Sequence, residues 1–219
     1  MPAQPGEFTL MIASPPFDSD SLSEAQQLAR LLKQAKSGDV TAFEQIILLH
    51  QRQVLMTCLR LLAELKDAQD AAQEVFLRLH KYLHRFDDSR AFPPWLYRVT
   101  VNVCRDLQRK RQGTSLLSLD ELRERRDFQE PSSATDLDAE LTLAEKRRLV
   151  ADALKRLPEK ERAAVVLRDI EGLSTREVAS ILGSSEVTVR SQVSSARLKI
   201  KKFIERQAKR GFKKAPSGS

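Results

Sequence analysis

Residues 184–203, SSEVTVRSQVSSARLKIKKF, place apolar side chains at Val189, Val193, Ala196, Ile200 and Phe203, at intervals of four, three, four and three. That spacing is one stripe of an α-helix. Arg190, Arg197 and Lys201 flank it on one side, with Thr188, Gln192, Ser195 and Lys199 on the other. A basic face of this kind serves solvation as readily as DNA, so the upstream residues decide. Ser174 and Glu177 have the S-x-x-E form of a capping box, and Gly183 stands where a left-handed cap would close a short helix. A short helix, a turn at Gly183-Ser184-Ser185 and a longer helix make a helix-turn-helix, whose second helix enters the DNA major groove. By that geometry Arg190 and Ser191 are the candidate base contacts, and Ser194 and Ser195 lie near the groove wall. Ser185 and Thr188 open the helix, while Arg197, Lys199, Lys201 and Lys202 are placed for phosphates.

Charge supports a polyanionic partner and also divides the chain. The 219 residues carry a net charge of +7 with pI near 9.6, which by itself implies only non-specific attraction. Residues 97–111 hold five bases and one acid, and residues 186–219 hold ten bases and two acids. Between them, residues 113–140 hold eight acids and three bases. Two basic patches are therefore separated by an acidic connector.

Hydrophobic residues make up 41% of the chain, and the seven glycines and nine prolines are few enough to favour helices. The predicted fold class is all-α, with two helical domains. A proline-containing arm (1–22), expected to be disordered or loosely docked, precedes a four-helix bundle (23–112). In the bundle, Ser23 is a candidate N-cap, Gly38 ends the first helix, and VTAFEQIILLHQRQVLMTCLRLLAEL forms the second. Asp67 starts the third helix, and Pro93 and Pro94 sit in the first turn of the fourth, where a missing amide hydrogen costs little. An acidic linker (113–140) follows, interrupted at most by a short helix at LDELRERRDF. The helix-turn-helix domain (141–206) and a basic tail (207–219) complete the chain.

Catalytic and metal chemistry find little support. Only His50, His80 and His84 occur, with no glycine-rich phosphate loop. Cys58 and Cys104 stand alone in helical apolar patterns and read as buried thiols. No enzyme activity, cofactor or metal site is expected. The N-terminus lacks the pattern of a signal peptide and no apolar run is long enough to span a bilayer, so a cytoplasmic protein without membrane insertion is expected. A helix-turn-helix alone leaves open a stand-alone regulator, and the basic helices alone leave open a protein-interaction module.

The other domain narrows the choice. DAQDAAQEVF, with Asp67, Asp70, Gln73, Glu74, Val75 and Phe76, resembles the D-x-E-D-x-x-Q-E-V-F segment of region 2 in bacterial RNA polymerase sigma factors of the extracytoplasmic-function (ECF) type. FPPWLYRVTVNVCRD resembles its F-x-x-W-L-Y-R-I-A-x-N-x-x-x-D continuation through Phe92, Trp95, Leu96, Tyr97, Arg98, Asn102 and Asp106. Region 4 is resembled by Leu157-Pro158, Arg162, Gly172-Leu173, Glu177-Val178-Ala179, Leu182-Gly183, Thr188-Val189 and Ala196-Arg197. The resemblance spans residues 28–203 in family order.

It implies a factor that binds core RNA polymerase, directs it to promoter DNA and promotes melting. Asp67, Asp70, Gln73 and Glu74 would form the core-polymerase face, although acids early in a helix also simply favour its dipole. Asp87, Asp88, Ser89 and Arg90 would hold a flipped base of the single-stranded minus-10 element, and Arg98, Asn102, Arg105 and Arg109 would meet the adjoining DNA. Trp95 is assigned to the core. Ser185, Thr188, Arg190, Ser191, Ser194, Ser195, Arg197 and Lys199 would face the minus-35 element. The acidic linker would thread the polymerase's basic channels, and family members are often held by an anti-sigma factor. Against the family's V-K-S-R-L-H-R-A-R, this chain has VRSQVSSAR, so Gln192 and Ser195 replace two cations and a changed minus-35 preference is expected.

Overall fold

The computed structural model describes residues 21–115 and 142–212. Among the described residues all regular structure is helical. The first domain consists of α1 (Ser21–Lys36), α2 (Val40–Leu62), α3 (Leu65–Tyr82) and α4 (Phe92–Ser115), with a 3-10 turn at Leu83–Arg85. The second consists of α5 (Leu143–Lys155), α6 (Glu159–Val165), α7 (Thr175–Leu182) and α8 (Glu186–Phe212), with a π-helical turn, Val166–Ile170, prolonging α6.

Local chemistry accounts for most boundaries. Gly38 leaves α1 at φ +97°, and Asp39 then caps α2 by accepting a hydrogen bond from the Ala42 amide at 3.1 Å. The capping box at Ser174 is present in full: its hydroxyl accepts from the Glu177 amide, and the Glu177 carboxylate accepts from the Ser174 amide at 2.8 Å. Thr142 and Glu145 repeat the device at the start of α5. The bond from the Thr142 amide, at 2.8 Å, and a second from its hydroxyl hold the Glu145 carboxyl below its ordinary value.

Several ends differ from expectation. Helix α1 starts at Ser21, before the Ser23 expected to cap it, and α3 starts at Leu65 rather than Asp67, with Glu64 preceding it. Helix α4 continues through Gly113 to Ser115, past the expected linker start, and α8 passes 206 to reach Phe212. One glycine costs a helix only about 1 kcal/mol relative to alanine, too little to stop a long, otherwise favourable one. The arm up to residue 20, the suggested helix at LDELRERRDF and the last residues of the tail lie outside the described residues.

The buried apolar residues form one cluster that runs through both domains. In the first, α2 packs against α1, α3 and α4, enclosing Ile46, Val54, Val75, Leu79, Val101 and Val103. In the second, α8 lies across α5, α6 and α7. Its stripe Val189, Val193, Ala196 and Ile200 is buried, in the same apolar cluster as Val166, Leu167 and Val178. Burial of each such side chain contributes about 1.5–3 kcal/mol, which is why the stripe faces inward and the polar faces of α8 remain for other uses. Cys58 and Cys104 are free and buried. The two domains also touch: α2 meets α5, α6 and the π turn, and α4 meets α7.

Candidate nucleic-acid and partner interfaces

The reading head is built by the turn between α7 and α8. Gly183 adopts φ +65° and ψ 42°, a left-handed conformation that turns the chain sharply. The Ser185 hydroxyl accepts from the Thr188 amide at 3.1 Å, capping α8. Ser185 thus has a structural partner as well as a place at the head of the helix. Thr188, Arg190, Ser191 and Ser194 are all exposed on its first turns. Arg190 reaches back only to Glu186, at 2.9 Å, an exposed pair of little energetic weight.

Other residues of the expected minus-35 set turn inward. Arg197 donates from Nε and Nη2 to the two carboxylate oxygens of Asp169, at 2.8 and 2.7 Å. These bonds and the carboxylate's charge raise the guanidinium pKa above its ordinary value despite the opposing effect of burial. Ser195 donates to Glu161 at 3.1 Å, and Lys199 donates to both oxygens of Glu161 at 2.7 and 2.8 Å. Gln192 is half-buried. The cations placed for phosphates by helix position are therefore partly committed to α6 and the π turn. The exposed face of α8 runs through Thr188, Arg190, Ser191 and Ser194, with Leu198 and Lys201 beyond.

In the first domain the loop before α4 is a small bonded unit. Asp87 accepts from the amide and the hydroxyl of Ser89, at 3.0 and 2.7 Å, and with Arg90 at 3.3 Å these hold its carboxyl below the ordinary value. Lys36 of α1, which sequence patterning does not single out, donates to Asp88 at 2.7 Å and to the Phe86 carbonyl at 2.6 Å. Under the loop, Trp95 lies 5.2 Å from the Phe86 ring and 5.9 Å from Phe92, packed against the core as assigned. All four loop residues from Asp87 to Arg90 remain exposed.

Along α4, Asn102 is exposed, and Arg109 is exposed but paired with Asp106 at 2.6 Å. Arg98 and Arg105 point toward the other domain. Arg98 donates to the Ser180 hydroxyl at 2.6 Å and to its carbonyl at 3.1 Å, and Arg105 lies 3.9 Å from Glu159.

On α3, Asp70 and Gln73 are exposed. Glu74 accepts from Arg78 at 2.7 Å, and Arg78 also holds Asp106 at 2.8 Å. Asp67 is turned against Arg111, and its second oxygen is buried without a hydrogen-bond partner. The four residues of the expected polymerase face share one side of the helix, with Asp70 and Gln73 the most available of them. Neither Glu161, Asp169 nor Glu171 is flagged by motif; each acts through partners far away in sequence.

Geometry thus defines a two-domain, all-α protein with an N-terminal bundle and a C-terminal DNA-binding helix-turn-helix. The Sigma-70 region 2 family matches residues 46–114, and the Sigma-70 region 4 family matches residues 147–200. The chain is 30% identical over 184 residues to the RNA polymerase sigma-H factor of Pseudomonas aeruginosa, covering 82% of this chain and 95% of that protein. Over 176 residues it is 31% identical to the ECF RNA polymerase sigma factor SigM of Mycobacterium tuberculosis, covering 80% and 84%. The solved structure of CnrH in complex with the cytosolic domain of CnrY aligns with TM-score 0.58 and 27% identity, over 82% of this chain and 97% of that one. The chain belongs to the ECF sigma factors, the transcription initiation factors that direct RNA polymerase to promoters. No helix among the described residues is long and apolar enough to cross a membrane.

Proposed function

We propose that residues 23–112 engage core polymerase and the minus-10 element, that residues 141–206 read the minus-35 element, and that the acidic segment 113–140 links them. The protein acts by binding, in the cytoplasm, and catalyses no reaction. The observation that carries the proposal is the cluster of exposed Thr188, Arg190, Ser191 and Ser194 on the opening turns of a capped helix, where a helix-turn-helix meets base edges. Asp70 and Gln73, with Asp67 and Glu74 beside them, supply the polymerase face. The loop Asp87, Asp88, Ser89 and Arg90 supplies polar groups to a flipped base, whose extrusion costs a few kcal/mol. Arg98, Asn102, Arg105 and Arg109 take the neighbouring DNA. An anti-sigma partner is also proposed, since CnrH is solved with the cytosolic domain of CnrY.

In vitro transcription with bacterial core polymerase on a promoter pool tests the proposal. Initiation from a subset, dependent on this protein, is expected. The Arg190→Ala variant should lose about 1–3 kcal/mol of discrimination at one minus-35 position. An unchanged preference in that variant overturns the Arg190 assignment, and absence of core binding by the wild type overturns the division of labour.

A further inference from the structure

The start of α8 is polar in sequence but apolar in what it leaves free. The Ser185 and Thr188 hydroxyls bond each other at 2.8 Å, and the Ser185 oxygen also accepts from the Thr188 amide at 3.1 Å. The Glu186 carboxylate accepts from Arg190 at 2.9 Å. Ser185, Glu186 and Thr188 thus spend polar groups on closing the helix start, and the residue between them is Val187. It is 71% exposed, more than any other large apolar residue among the described residues.

Helical phase aims that side chain away from the core. Successive residues stand about 100° apart around a helix, so Val187 lies about 150° from the centre of the buried stripe. That stripe is Val189, Val193, Ala196 and Ile200. Ser191 and Ser194 follow Val187 on the same outer line, at the fourth and seventh positions along, and both are exposed. Thr188 and Arg190 stand on its two flanks. The line carries no charge as far as Leu198, and its serines are small enough for a close approach. In a helix inserted by its first turns into the major groove, the outer line faces the base edges.

An isopropyl group has one partner there. The polar atoms of the base edges are donors or acceptors, and covering one with a valine strips its water without replacing the hydrogen bond. The apolar feature of the major groove is the C5 methyl group of thymine. Against that methyl, Val187 removes apolar surface from water on both sides of the contact.

We propose that Val187 is a specificity-determining residue of the minus-35 contact, selecting thymine at one position by packing its isopropyl group on the C5 methyl. The contact rests on the assignment of α8 to the minus-35 element proposed above.

The probe is the duplex promoter fragment most enriched in the transcription pool. Each thymine on either strand of its minus-35 element is replaced in turn by deoxyuridine, which removes the C5 methyl and keeps every hydrogen-bonding atom. A second set of duplexes changes each minus-35 base pair in turn. Polymerase carrying the full chain is titrated against both sets, for wild type, Val187→Ala, Arg190→Ala and Leu198→Ala. One deoxyuridine should weaken wild-type binding about fourfold, the worth of one buried methyl group. Val187→Ala should respond to that same replacement by less than about twofold. Leu198 lies on the same line but about 16 Å further along the helix, so Leu198→Ala should keep the wild-type response. Because Val187 is exposed, its alanine variant should melt with wild type, which separates a binding change from a folding change.

A minus-35 element without thymine, or a wild type indifferent to every deoxyuridine, overturns the contact. So does a Val187→Ala variant as sensitive as wild type, or a response lost in Leu198→Ala instead. In each of these cases a base pair still relaxed by Arg190→Ala leaves the minus-35 assignment of α8 standing. A pool with no enriched fragment, or a wild type indifferent to every minus-35 base pair, overturns that assignment and the Val187 contact with it.

Discussion

Replacing Arg197 by alanine separates a structural from a DNA-binding role for a residue whose helix position suggests only the second. Its guanidinium spends two donors on the two oxygens of Asp169, at 2.8 and 2.7 Å, and the Asp169 side chain is 7% exposed. Deleting the arginine leaves that buried carboxylate without the guanidinium that neutralises it. Breaking a fully buried pair from one side costs about 3–5 kcal/mol. Here the arginine side chain is 41% exposed, so water screens the pair and can reach the stranded carboxylate, which reduces the expected loss to about 2 kcal/mol.

Urea unfolding followed by circular dichroism measures it, and the thermal midpoint should fall by about 4–8 °C. Arg197→Lys should recover only part of the loss, since an ammonium lacks the planar fork. Arg190→Ala, which breaks only the exposed bond to Glu186, should stay within about 0.5 kcal/mol of wild type. If Arg197→Ala keeps wild-type stability and instead lowers the salt slope of promoter binding by about one, the arginine is a phosphate contact and the structural assignment fails.

His50 is held below its ordinary value of 6.5, chiefly by burial and against a raising bond to Gln53. The unfolded chain therefore binds its proton first; the stability contributed is complete above pH 6.5 and is lost as pH falls from there through the folded value. Urea midpoints between pH 7.5 and 5.5 should decline less steeply in His50→Gln than in wild type. Gly183→Ala should cost about 1–2 kcal/mol from backbone strain alone, since an added Cβ meets nothing within 4 Å; a thermal melt reads the loss, and Gly183→Asn should lose less. Ser174→Ala removes a cap and should cost about 1 kcal/mol by the same melt. Asp70→Ala should weaken core-polymerase binding, measured by titration, without moving the melting midpoint.

The helices, their order and the helix-turn-helix were legible because they rest on local chemistry. The spacing of Val189, Val193, Ala196 and Ile200 requires one buried face, and Ser174, Glu177 and Gly183 satisfy or turn the backbone within a few residues of themselves. Ends were less legible where tertiary contacts or helix length outweighed a single residue, as at Gly113. In the candidate site, the exposed residues Thr188, Arg190, Ser191 and Ser194 could be placed from helical phase, whereas Asp70 and Gln73 were singled out only through the family resemblance.

What phase could not supply was the partner of each charge. Arg197 and Arg190 sit a turn or two apart on one basic helix and read alike in sequence, yet one meets Asp169 and the other reaches only its own neighbour Glu186. Glu171 carries no motif, yet it joins Thr57, Arg60 and Tyr97 from more than seventy residues away. Sequence alone determined which side chains leave the helix on the same face, because that follows from a rise and a pitch. Only the tertiary structure decided which of those side chains remain free, because a long charged side chain spends its donors on whatever acceptor the packing of remote helices brings within about 3 Å.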